Sequence, residues 1–72
     1  MQNNDIIRMA NQIGAFFKPY GPEQAKKDIA THINSYWEPP MRKALLAYVE
    51  GGGKGIDDVV LSALPLVKKP AA

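Results

Sequence analysis

His32 is the single histidine of the chain, and it falls between Ile29 and Ile33 with Asn34 and Glu38 nearby. An imidazole can serve as a general base, but only with a positioned substrate and supporting groups. No second histidine and no cysteine stands at zinc-ligand spacing from it. Asp57 and Asp58 are adjacent, so they cannot share one helical face, and the alternating oxygen ligands of a calcium loop are missing around them. They read instead as the acidic start of a helix. Gly51-Gly52-Gly53-Lys54-Gly55 invites comparison with a phosphate loop, but Gly55 stands where a Walker loop needs Ser or Thr, and no strand precedes the run. Asp5, Glu23, Asp28, Glu38 and Glu50 are scattered and offer no recognisable acid–base pair. The expectation is a chain with no catalytic, cofactor-binding or metal site of its own, in which His32 has a structural or interface role.

The size of the chain agrees with that expectation. With 72 residues, folding buries about 60% of the extended chain's surface, enough for one small core. No cysteine is available to staple it. Hydrophobic residues at 46% and charged residues at 22% are too apolar for disorder and too charged for a membrane chain. No stretch approaches 18 consecutive apolar residues, so no membrane span is expected. The opening MQNNDIIRMANQ has neither the basic region nor the apolar run of a secretory leader, which favours a cytoplasmic location. The net charge is only +2, and the basic residues are dispersed from Arg8 to Lys69. A nucleic-acid footprint gathers such charge on one face, so no nucleic acid is expected. A small helical nucleic-acid-binding regulator is the contrasting alternative, because two helices joined by a proline turn superficially suit a helix-turn-helix.

The elements that must position these residues are helices. Ile6, Met9, Ile13 and Phe16 or Phe17 recur at spacings of three and four, which predicts a first helix from Asn3 or Asn4 to about Lys18. Asn4 is its candidate cap. Gly14 costs about 1 kcal/mol relative to Ala inside it. Pro19-Tyr20-Gly21-Pro22 stops that helix and starts the next, which runs from Pro22 to Tyr36. Glu38-Pro39-Pro40 closes the second helix, with Pro40 opening a third that runs to Glu50. The triple glycine reads as a helix stop and mobile connector. Ile56 to Val67 is a final, shorter helical candidate, with Pro65 near its end. The predicted fold is therefore all-α: a small bundle of three to four short helices with proline- and glycine-rich connections. It forms one domain over residues 1–67, with a flexible C-terminal tail at 68–72.

Helices this short are marginal alone and need tertiary or partner contacts. The aromatic residues gather at positions 16, 17, 20, 36, 37 and 48, enough for a small core and for an interface anchor besides. The most unusual segment runs from His32 through Tyr36, Trp37, Glu38, Pro39, Pro40 and Met41 to Arg42. Its aromatics supply contact area and its prolines limit the freedom lost on binding. Arg42 and Lys43 lie at the less favourable end of a helix for cations; the readings are that both project into water or that Arg42 pairs with an external or intramolecular carboxylate.

Arg8-Met9-Ala10-Asn11-Gln12-Ile13, Ala15-Phe16-Phe17, Ile29-Ala30, His32-Ile33, Trp37-Glu38-Pro39 and Met41-Arg42 together resemble the delta subunit of NAD-dependent, molybdenum-containing formate dehydrogenase. The resemblance spans about residues 5–50. Pro40 departs from the basic residue expected between this proline and methionine. The resemblance implies a non-catalytic accessory subunit that supports assembly, stability or cofactor insertion. Its partner would be a large cofactor-bearing formate dehydrogenase subunit and its complex. The molybdenum cofactor, iron–sulfur clusters, FMN and NAD would all belong to that complex, which oxidises formate to carbon dioxide. A transient assembly chaperone of a redox enzyme is the close alternative. The candidate interface residues are Arg8, Asn11, Gln12 and His32, followed by Tyr36, Trp37, Glu38, Met41 and Arg42.

Overall fold

The first helix, α1 (Asn3–Phe17), buries Ile6, Ala10 and Gly14, a stripe repeating every four residues. Asp5 lies in its first turn, where it complements the positive end of the helix dipole. Because the helix already includes Asn3, Asn4 sits inside the first turn and is not its cap. These features come from a computed structural model that describes residues 3–70.

A single 3-10 turn (Lys18–Tyr20) follows, with Pro19 inside it. Gly21, at φ 94°, then redirects the chain. Pro22 opens α2 (Pro22–Tyr36) at a position where its missing N–H has no helical partner to lose. This helix buries Ala25, Ile29, Ala30 and Ile33. It closes on Trp37, which is extended and donates its N–H to the Ile33 carbonyl at 3.0 Å.

Glu38 is also extended, as expected of a residue preceding proline. Its carbonyl receives the N–H groups of Met41 and Arg42 at 2.9 and 3.1 Å, the first bonds of α3 (Pro39–Glu50). Pro39, rather than Pro40, therefore begins this helix. The first-turn amides have no intrahelical acceptor, so both prolines fit there without loss of a bond.

The glycine run ends α3 in a bonded turn instead of a mobile connector. The N–H of Gly52 reaches the Val49 carbonyl at 3.0 Å, and that of Gly53 reaches the Tyr48 carbonyl at 3.2 Å. This pair of bonds is the Schellman pattern, which needs a positive φ after the helix. Gly52 supplies it at φ 128°. The Tyr48 hydroxyl also donates to the Lys54 carbonyl.

The last helix is shorter than the span 56–67 predicts: α4 covers Asp58–Ala63, and a 3-10 turn covers Leu64–Leu66. Pro65 has no N–H to continue the α-helical ladder, so the chain tightens around it. Asp57 stays extended as the N-cap, its carbonyl taking the N–H groups of Val60 and Leu61 at 3.0 Å. Asp57 and Asp58 thus do mark a helix start.

The fold is all-α, with no strand among the described residues. Helix α1 packs against α2, α3 and α4, and α2 also packs against α4. The largest fully buried side chains are Ile6, Ile29, Ile33, Leu45 and Val60, drawn from all four helices. Each is worth about 2 kcal/mol relative to exposure. Gly14 allows the approach of α1 to α4: a Cβ there would lie 2.7 Å from Val60 Cγ2 and 3.2 Å from Val59 Cγ1. Among the described residues no helix is long and apolar enough to cross a membrane.

Lys68, placed in a tail on sequence grounds, is bonded at both its N–H and its carbonyl. The remainder of the expected tail reaches residues 71–72, which lie outside the described residues, as do 1–2 of the expected domain.

Candidate docking surface

The candidate interface residues divide into two groups by where the fold puts them. Asn11, Trp37, Met41 and Arg42 hold the chain together from within. Asn11 projects from α1 to the loop before α4, donating from Nδ2 to the Gly55 carbonyl at 2.8 Å and accepting the Asp57 N–H on Oδ1 at 2.9 Å. Trp37 is only 5% exposed and belongs to the core. Its apolar surface is largely covered within this chain. Met41 is half-buried and packs against the same core.

Among the described residues Arg42 pairs with no carboxylate. Its Nη1 donates to the Trp37 carbonyl at 2.7 Å and its Nε to the Lys68 carbonyl at 3.2 Å. The guanidinium fork reaches two carbonyls that lie beyond helix ends, where no helical N–H is available to satisfy them. An arginine at the start of a helix is thereby accommodated without an acidic partner.

The second group faces outward. Arg8 is exposed and forms an ion pair with Asp5 at 3.1 Å, an interaction worth little at the surface. Gln12 and Glu38 are exposed as well. His32 is half-buried on α2, and Tyr36, one turn later, is 74% exposed.

Sequence reasoning did not single out Asn34. Its Nδ2 donates to the Leu66 carbonyl at 3.1 Å, and its Oδ1 accepts the Lys68 N–H at 2.8 Å. Asn34 thus treats the chain after α4 as Asn11 treats the chain before it. In each case one amide grips a carbonyl and the N–H two residues later. Nothing local in the sequence signals such a bond, because its partners are backbone groups more than thirty positions away. Phe16 and Tyr20 were also not among the candidates, although the aromatic clustering at 16, 17, 20 and 36 is a usable signal.

His32 and Tyr36 meet the end of α1 in a shared aromatic surface. Phe17 lies at the last position of α1, and the proline turn places Tyr20 beside it, with ring centroids 6.3 Å apart. The four-residue spacing of α2 stacks His32 below Tyr36 at 4.9 Å. Phe17 and His32 join the two halves edge-on at 6.2 Å. Phe16 extends the rim, packing edge to face on Phe17 at 4.9 Å. Of these rings Phe16 and Tyr20 are 67% and 61% exposed, so the cluster borders an open groove and does not complete a core. Exposed aromatic area of this kind is characteristic of binding surfaces.

The surroundings of His32 are those of a packed ring. Its neighbours are aromatic, and among the described residues no group of three His, Cys, Asp or Glu side chains is placed to hold a metal ion. With no cysteine in the chain, iron–sulfur ligation is also outside its donor set. The arrangement can present a surface.

The family model described as "NADH-dependant formate dehydrogenase delta subunit FdsD" matches residues 5–64. The match therefore continues beyond the span of about residues 5–50 that the motifs cover, through the glycine turn and α4. No curated protein matches the chain.

Proposed function

The chain belongs to the delta-subunit family of NADH-dependent formate dehydrogenases, and we infer from that premise that it acts by binding the large, cofactor-bearing subunit of the enzyme. Membership makes it a non-catalytic accessory subunit in assembly of the formate dehydrogenase complex. The finer reading is a resident subunit that stabilises the large subunit in a state competent for cofactor insertion. In that reading the molybdenum cofactor, iron–sulfur clusters, FMN and NAD sit in the partner complex, in the cytoplasm. With no cysteine, this chain has no thiolate to ligate an iron–sulfur cluster.

The observation that carries the reading is the family match across all four helices, residues 5–64. It is supported by a core that is complete within the chain and an aromatic groove that is left open. The test is affinity purification of the tagged full-length chain from its native cells, with identification and stoichiometry of the partner chains. Cofactor-loaded formate dehydrogenase at a fixed ratio is the expected result. Recovery only with a cofactor-free large subunit would replace the resident role by that of a transient assembly factor.

A further inference from the structure

We propose that the aromatic groove between the end of α1 and the outer face of α2 receives an arginine-bearing segment of the enzyme complex; the proposal rests on the accessory-subunit reading. The rings of Phe17, Tyr20, His32 and Tyr36 line the groove, and the carboxylate of Asp28 borders it. Centroid spacings of 4.9 to 6.3 Å make the rings one continuous surface. A cation seated on it lies within the roughly 6 Å over which a ring face attracts positive charge.

Charge complementarity selects the occupant. The chain carries nine Lys+Arg and a net charge of +2, yet none of those cations lines this groove. Asp28 is the one acidic residue there, and among the described residues it forms no ion pair. Gln24 Nε2 donates to its Oδ1 at 2.9 Å and orients the carboxylate. Thr31 and Ser35 add hydroxyl oxygens along the same wall. Aromatic rings, a carboxylate and hydroxyl oxygens thus lie together in a groove that no Lys or Arg lines, on a positive chain. A guanidinium fits it best, because its plane stacks on aromatic rings while its N–H groups reach the carboxylate; an ammonium can do only the second.

A second copy of this chain is a poorer occupant. Its two arginines are Arg8 and Arg42. Arg8 is paired with Asp5, and Arg42 is held by the Trp37 and Lys68 carbonyls. The proposal therefore commits to an arginine of a different polypeptide.

Titration of the purified large subunit with the full-length chain tests this. Tyr36→Ala and Asp28→Lys should each lower affinity by about tenfold or more, as central aromatic and charged contacts do. Lys54→Ala, in the turn after α3 and outside the groove, is the matched control. Circular dichroism and thermal melting establish that each variant is folded, and Tyr20→Ser, at another ring lining the groove, gives an independent variant. Unchanged affinity in the folded variants overturns the groove assignment. A wild-type chain that does not bind the large subunit overturns the accessory-subunit reading instead. Self-association of the wild-type chain that is lost in Tyr36→Ala, seen by sedimentation, would assign the groove to a second copy and also overturn the proposal.

Discussion

Arg42 Nη1 donates to the carbonyl oxygen of Trp37 at 2.7 Å, tying the first turn of α3 to the residue that closes α2. The same guanidinium reaches the Lys68 carbonyl at 3.2 Å. One side chain thus fixes the corner between two helices and the path of the chain after the last one. Its charge is used to grip backbone rather than to form an ion pair.

Arg42→Ala should therefore destabilise the fold by about 2 kcal/mol, the range for hydrogen bonds made by a charged donor. Arg42→Lys should recover only part of that loss, because one ammonium cannot reproduce the fork. Urea denaturation of the three proteins measures the difference. Equal stability of the Arg42→Lys and wild-type proteins would mean that the two carbonyl bonds do not act together.

Asn11 and Asn34 each hold one flank of α4 by a carbonyl and an N–H two residues apart. Asn11→Ala and Asn34→Ala should each cost about 1–2 kcal/mol, two ordinary hydrogen bonds apiece. Amide exchange gives the sharper readout. Asn11→Ala should expose the Asp57 N–H to exchange, and Asn34→Ala the Lys68 N–H. Retained protection at both amides would show that the asparagines are not what holds them.

Gly14→Ala would be stabilising in an isolated helix by about 1 kcal/mol. Here the added Cβ would meet Val60 Cγ2 at 2.7 Å. Val60 is fully buried and β-branched, so it has little freedom to move aside. Overpacking of this kind costs about 1–3 kcal/mol, and the net expectation is a lower melting temperature. A higher one would show that α1 and α4 can separate at no cost.

Trp37→Ala and Tyr36→Ala should behave differently although the residues are adjacent. Removing the buried indole should cost about 3–5 kcal/mol, against a total stability of about 4–11 kcal/mol for a chain of this length. Removing the exposed Tyr36 ring should change stability by no more than about 0.5 kcal/mol. Thermal melts of the two free proteins separate them. A Trp37→Ala variant as stable as wild type would contradict its place in the core.

The elements were legible where proline and glycine punctuate them. Pro22 and Trp37-Glu38-Pro39 bracket α2 at both ends, and the bounds Pro22–Tyr36 follow from the sequence alone. The final helix is shorter than its pattern predicts because the apolar spacing of Val60, Leu61, Leu64 and Val67 continues across Pro65, while the hydrogen-bond ladder does not. The inward turn of Trp37 was legible, because it continues the four-residue spacing of Ala25, Ile29 and Ile33, all of which are buried. The partners of Arg42, Asn11 and Asn34 were not. Every residue has a backbone carbonyl, so a side chain that seeks one carries no mark of which it will find. The family motifs around Asn11, Trp37 and Arg42 contributed to the resemblance, and the structure gives each of them work inside the fold.

Helix α2 ends with one ring turned out and the next turned in: Tyr36 faces solvent and Trp37 faces the core. The amount of complex recovered depends on intrinsic affinity multiplied by the fraction of chains in the competent state. Tyr36 acts on the first factor in the proposed groove, and Trp37 acts on the second. Damage at either position would look alike in a yield of assembled enzyme. Raising the concentration of the accessory chain would compensate for both, but cooling toward its temperature of maximum stability would rescue only the loss at Trp37.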